Sequence, residues 1–223
     1  MGLNAVYRGP NDCPAVIPVF PLPGALLLPR GQIPLNIFEP RYLSMVDDAL
    51  KGDRMIGMVQ PDADNGASAS MPRLYHVGCA GRINQFAETG DGRYLVTLVG
   101  VARFRIEEEL GTTTLYRQCR VNFDAYPTDF IARAGEGEVD RAGVVKALRD
   151  FVQAADVRVD WQGIEDAPNE ALVNALCMMS PFGVREKQAL LEAETLKTRA
   201  EVLIALTEIE LARGGSNTDN TLQ

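Results

Sequence analysis

Residues 17–50, IPVFPLPGALLLPRGQIPLNIFEPRYLSMVDDAL, set two short apolar runs, Ile17 to Leu22 and Ile33 to Ile37, on either side of a segment cut by Pro and Gly. That punctuation belongs to strands and turns. The period then changes: Pro40 suits a first helical position, Leu43, Val46 and Leu50 follow at helical spacing, and Gly52 closes the segment. Pro18, Pro21, Pro23, Pro29 and Pro34 cannot donate a ladder hydrogen bond, so this region is expected to be an edge or a bulged strand. Two uses fit such prolines: they shape the sheet and guard its edge, or they leave an irregular edge that takes a peptide by strand addition. Phe20, Leu22, Leu26, Leu27, Leu28, Ile37 and Phe38 are more bulk than one face of a short stretch can bury. They either cement the strands to the helix that follows or leave an apolar patch in solvent.

Outward from this stretch the strand-and-turn pattern continues to about Phe123, through Met55 to Val59, Val77 to Gln85, Tyr94 to Val99, Ala102 to Glu107 and Leu115 to Phe123. In the last of these, Tyr116, Gln118, Arg120 and Asn122 share a polar face opposite Leu115, Arg117, Cys119, Val121 and Phe123. Seven short strands would leave costly edges as an open sheet, so closure into a small β-barrel is expected. Pro61 to Pro72, PDADNGASASMP, is too small and polar to bury apolar area and is expected to be a mobile loop. From Glu138 the period is helical: Val144, Leu148, Phe151, Val152 and Ala155 form one face, and Pro168 opens a helix with Leu172, Ala175, Leu176 and Met179 inside. Gly183 and Thr195 are N-cap candidates for two more helices, the last striped by Leu196, Ala200, Leu203 and Leu206. The expected class is α+β: an N-terminal extension (1–14), a strand domain (15–126) with one inserted helix, a linker (127–137), a helical domain (138–213) and a disordered tail (214–223).

The order Phe20-Pro21-Leu22, Leu28-Pro29, Pro34-Leu35 and Ile37-Phe38-Glu39-Pro40-Arg41-Tyr42 closely resembles the opening of the Lon substrate-binding domain, the N-terminal region of ATP-dependent Lon proteases. VGCAGRINQF (77–86) followed by YLVTLVGVARFR (94–105) is similar to that family's paired strands, with Cys79 where a Thr or another small residue is more usual. LCMMSPFGVREKQALLEAE (176–194) resembles its loop leading into a helix with a K-Q-x-L-L-E core. The resemblance implies a PUA-like (pseudouridine-synthase-and-archaeosine-transglycosylase-like) β-barrel, closed or partly open, followed by a helical bundle. It also implies a role in engaging unfolded or degradation-tagged polypeptides. No GxxxxGK[ST] phosphate loop occurs, and no Ser-Lys peptidase follows, so the ATPase and protease activities of full-length Lon are not carried over and no enzyme activity is expected.

The formal charge of -8 repels phosphate backbones and disfavours nucleic acid. The exception would be a local basic strip of Arg103 and Arg105, with Arg82 and Arg93 beside them, as an RNA-binding PUA-like barrel would need. The longest apolar stretch in the N-terminal half, Ala25 to Leu28, is far below the ~20 residues of a membrane span. Met1 to Pro10 carries no secretory signal, and a cytoplasmic protein is expected. Cys13, Cys79, Cys119 and Cys177 are too dispersed for a metal site and are expected to be reduced, mostly buried thiols; no metal or cofactor is anticipated. His76 and Cys79 point to opposite faces of a regular strand and make a poor dyad. The residues nominated for polypeptide contact are Phe20, Leu22, Leu28, Phe38 and Tyr42. Pro21, Pro34, Glu39, Pro40 and Arg41 are assigned to the structural motif, with Arg41 free to pair with Glu39. A protease or chaperone is the alternative partner, reached by an adaptor docking through its C-terminal helices. The sequence leaves the oligomeric state open.

Overall fold

A computed structural model describes residues 5–62, 72–155 and 159–218. Its elements in chain order are β1 (Val16–Pro21), β2 (Gln32–Ile37), α1 (Pro40–Lys51), β3 (Met55–Val59), β4 (Pro61–Asp62), β5 (Arg73–Leu74), β6 (Val77–Glu88), β7 (Tyr94–Leu110) and β8 (Arg117–Asn122). The helices α2 (Arg141–Ala155), α3 (Trp161–Asp166), α4 (Asn169–Met179), α5 (Val184–Glu192) and α6 (Leu196–Thr218) follow. Six strands form one sheet in the order β2-β7-β6-β3-β1-β8, and β8 pairs with β7 as well, so the ladder β1-β3-β6-β7-β8 returns to β1. The content is mixed α and β. The chain divides into two compact units: residues 1–132 with 182–191, and residues 133–181 with 192–223.

The strand unit encloses a core of Ile17, Val19, Met55, Val59, Ala80, Ala102, Phe104, Cys119, Val121 and Phe123. Glycines set its spacing. A Cβ on Gly78 would fall 2.6 Å from the Phe104 ring, and one on Gly100 would fall 2.0 Å from the Leu28 carbonyl oxygen. Gly100 is where the turn ahead of β2 docks: it donates to the Gly31 carbonyl (2.8 Å) and accepts from the Arg30 amide (2.7 Å).

Several expectations need correction. β1 is not an edge: it pairs with β3 in parallel at 19–21 and with β8 in antiparallel at 16–19. Its prolines sit at the limits of the β3 ladder, Pro18 just before it and Pro21 at its last position, where a missing donor interrupts least. Tyr94 to Val99 and Ala102 to Glu107 are one continuous strand, β7, because Gly100 carries the backbone through without a turn. In Leu115 to Phe123 the alternation holds at Cys119, Val121 and Phe123, but Leu115 lies outside the strand and is exposed. The expected loop at Pro61 to Pro72 begins and ends in a short antiparallel pair, Pro61 with Leu74 and Asp62 with Arg73; residues 63–71 lie outside the described residues.

In the helical unit, α4 buries Leu172, Val173, Asn174 and Cys177, while Ala175 and Met179 face solvent and Leu176 is half-buried. The apolar stripe misleads here because a polar side chain belongs to the inner face: Asn174 Oδ1 accepts from Arg199 Nη1 at 3.1 Å. Thr195 caps α6 by accepting from the Thr198 amide (3.1 Å). α6 continues to Thr218, past Gly214, the expected start of the tail; residues 219–223 lie outside the described residues.

Within the strand unit, α5 is tied down by polar groups. Gln188 Nε2 donates to the Val77 carbonyl (3.1 Å), and Gln60 Nε2 donates to the Val184 carbonyl (3.1 Å). The segment expected to be a linker is also structured. Its 3-10 turn Pro127–Phe130 carries Asp129, which is buried and accepts from the Arg103 amide (2.8 Å), Nε (2.9 Å) and Nη2 (2.8 Å). Arg103 Nη1 donates to the Leu191 carbonyl (3.0 Å), and the guanidinium lies over the Tyr126 ring at 4.0 Å. Arg103 thus joins β7, the 3-10 turn and the end of α5.

Candidate functional site

β7 spans 17 residues and changes partner along one side: β2 pairs with its first half and β8 with its last, while β6 follows it along the other side. β6 also pairs with β3, but only up to Arg82; the Ile83 amide then donates to the Arg54 carbonyl (2.8 Å). A register shift between Ile83 and Gln85 leaves Asn84 without an opposite residue on β7. Such a bulge ends pairing on one side and re-aims the strand. From there on, Gln85–Glu88 pairs with β7 alone among the described residues. β2, the start of β7 and the end of β6 therefore form a three-stranded tongue whose two edges are open among the described residues.

The pleat sorts the side chains of this tongue. Leu35, Ile37 and Val96 are buried on its inner face with Phe86 and Tyr94 beside them, whose rings meet edge-on at 4.9 Å. The Tyr94 hydroxyl donates to Asp47 of α1 (3.1 Å). On the outer face, Pro34, Ala87, Leu95 and Thr97 line a shallow depression of about 440 Å³. Leu95 is 49% exposed and Phe38, just past the end of β2, 60%. Arg93 lies 5.9 Å from the Phe38 ring centre and pairs with Asp91 (3.3 Å). The hydrogen bond to Asp47 holds the Tyr94 hydroxyl above its ordinary pKa, and the Glu88 carboxylate adds to this. The tongue therefore combines exposed apolar side chains with a negative locus at its tip.

The nominated contact residues separate here. Phe38 stands on the surface, and Pro34 lines the depression. Phe20 and Tyr42 are each 7% exposed, with rings 4.2 Å apart joining β1 to α1; Leu28 is fully buried and Leu22 half-buried. Pro21, Arg41 and Tyr42 border a second groove of about 800 Å³ shared with Leu115 and Arg117. Glu39 supplies the residue ahead of α1, its carbonyl accepting from the Leu43 amide, and pairs with Arg41 at 2.8 Å; Pro40 takes the first helical position.

The basic strip does not form. Arg103 is buried against Asp129 and Arg82 donates to the Tyr7 hydroxyl (3.1 Å), because the outer side of β7 at position 103 is covered by the 3-10 turn and α5. His76 is exposed and precedes β6, whereas Cys79 is fully buried. Among the described residues no cluster of three His, Cys, Asp or Glu side chains is placed to hold a metal ion, and no helix is long and apolar enough to cross a membrane. Sequence reasoning missed Leu95, Phe86 and Glu88 as surface residues. The exposure of Phe86 and Glu88 goes with the point where β3 stops pairing, which no local pattern encodes.

Comparison with known proteins agrees with this architecture. The chain is 27% identical over 202 residues to Lon protease 2 of Sorangium cellulosum (strain So ce56), covering 87% of this chain and 25% of the relative. It is 26% identical over 199 residues to Lon protease 2 of Myxococcus xanthus, covering 88% and 24%. The chain thus spans about a quarter of the length of these curated relatives. Among solved structures, the Lon N-terminal domain protein from Xanthomonas campestris superposes with a TM-score of 0.61 at 22% identity, covering 85% of this chain and 97% of that one. The N-terminal domain of Mycobacterium avium complex Lon protease gives 0.63 at 17%, covering 86% and 98%. These likenesses show a Lon N-terminal domain fold. The family model for the ATP-dependent protease La (LON) substrate-binding domain matches residues 16–208, and the chain belongs to that family.

Proposed function

We propose that this chain is a non-catalytic polypeptide-binding module that holds unfolded or tagged segments of other proteins by apolar contact. In this reading the returning ladder within residues 15–126 is a PUA-like β-barrel, and the helices within residues 138–213 other than α5 contribute a bundle. The observation that carries it is the tongue, whose outer face exposes Leu95, with Phe38 exposed just past the end of β2, in a chain of the Lon substrate-binding family. Exposed apolar side chains grouped in this way mark interaction surfaces. Of the residues nominated from sequence, Phe38 is assigned to direct contact, while Phe20, Leu28 and Tyr42 support it from the core. Arg103, the centre of the basic strip an RNA-binding barrel would use, is already engaged by Asp129.

The test is titration of a fluorescently labelled, permanently unfolded protein. Saturable binding that persists at high salt, and that weakens about tenfold in Leu95→Ala and Phe38→Ala proteins of unchanged thermal stability, supports the reading. Absence of binding at tens of micromolar refutes it.

A further inference from the structure

The open edge of β6 has a chemistry of its own. Past the Asn84 bulge, the backbone of Gln85–Glu88 is paired on the β7 side only among the described residues. The opposite edge of the tongue, β2, is blunted by Pro34, whereas the sequence QFAE at 85–88 contains no proline and keeps every backbone donor, its single charge being Glu88. Phe86 and Glu88 are two positions apart and so share a face. Phe86 is 37% exposed there, and Glu88 lies opposite Tyr94, whose hydroxyl is bonded to Asp47. Along one face of this edge the structure thus presents an aromatic ring followed by a carboxylate, Glu88.

We propose that Gln85–Glu88 is a strand-addition site for an extended peptide with a basic residue two positions before an apolar one. This rests on the polypeptide-binding reading and specifies its chemistry. An added strand runs antiparallel to β6, as β3 and β7 do, which is the more stable pairing. The residue opposite Phe86 then packs its side chain on the ring. The residue opposite Glu88, two positions nearer the peptide N-terminus, places a Lys or Arg beside the Glu88 carboxylate. The recognised pattern is Lys/Arg-x-Leu/Phe, read from N- to C-terminus, with the affinity supplied by main-chain hydrogen bonds and the selectivity by these two side chains.

Short labelled peptides carrying Lys-x-Leu or Glu-x-Leu are titrated by fluorescence anisotropy against the full chain and its Glu88→Arg variant, with the labelled unfolded protein measured in parallel. The full chain is expected to prefer Lys-x-Leu, and the variant to reverse the preference, each by about tenfold, since an attractive cross-strand pair becomes a repulsive one. N-methylation of alternate peptide residues should abolish binding in one phase and spare it in the other, because only every second residue faces the edge. If the unfolded protein binds but peptide binding ignores both the charge swap and the methylation phase, this site is wrong while the polypeptide-binding reading stands. If neither the unfolded protein nor any peptide binds, both fall.

Discussion

At the scale of single residues, the Arg103–Asp129 pair carries the sharpest consequence. Both groups are buried, and Asp129 meets three donors of Arg103. Removing one partner leaves the other charge unpaired away from water, so Asp129→Ala should cost about 3–5 kcal/mol of unfolding free energy in urea titration, whereas replacing both residues by apolar ones should recover much of it. Tyr116 gives a pH dependence. Burial first, and the hydrogen bond to Asp48 second, push its hydroxyl up to about 12. A folded-state pKa above the unfolded value near 10 means that its contribution to stability is fully present below about pH 10 and lost as pH rises toward about 12. Burial raises Cys13 to about 12 and Cys119 to about 11, so those thiols add to the same alkaline loss. Tyr116→Phe should make the fall in urea midpoint between about pH 10 and about pH 12 shallower without removing it. None of this is legible in the sequence, since the partners Asp48 and Asp129 lie 68 and 26 positions from Tyr116 and Arg103.

At the scale of elements, β7 shows what pattern can and cannot tell. Alternation predicts its two apolar halves, and Gly100 between them suggests a turn; in the structure the same glycine lets the Leu28 backbone approach instead. Gly100→Ala should therefore destabilise by about 3 kcal/mol or more, because the obstructing atoms are backbone and cannot rotate away. Loss of amide protection at Arg30 and Gly100 in hydrogen exchange would check that the damage begins at this contact. Helix α1, strand β3 and the burial of Cys119, Val121 and Phe123 are readable because local period and punctuation agree there. The inner face of α4 is not, because Asn174 is buried for its bond to Arg199. The tongue is half-legible: Phe38 and Pro34 stand out in the sequence around the first strands, but the free edge of β6 depends on where β3 stops pairing.

For the whole molecule, chain order and packing order differ. α5 lies between two helices of the helical unit in sequence, yet residues 182–191 group with the strands through Gln188, Gln60 and Arg103. Its amides should exchange with the slow set of β3, β6 and β7, and they should not follow those of α4 and α6; native-state hydrogen exchange read by NMR or mass spectrometry would show this. The path of the polypeptide consequently crosses between the units after Ala132, after Pro181 and after Leu191. No single scission can release either unit intact. A protein shortened to its first 132 residues would lack the helix that accepts the Arg103 and Gln60 side chains, so truncation analysis would confuse loss of a ligand site with loss of a buttress. Isolating the strand unit calls for splicing residues 182–191 back onto it through a designed linker.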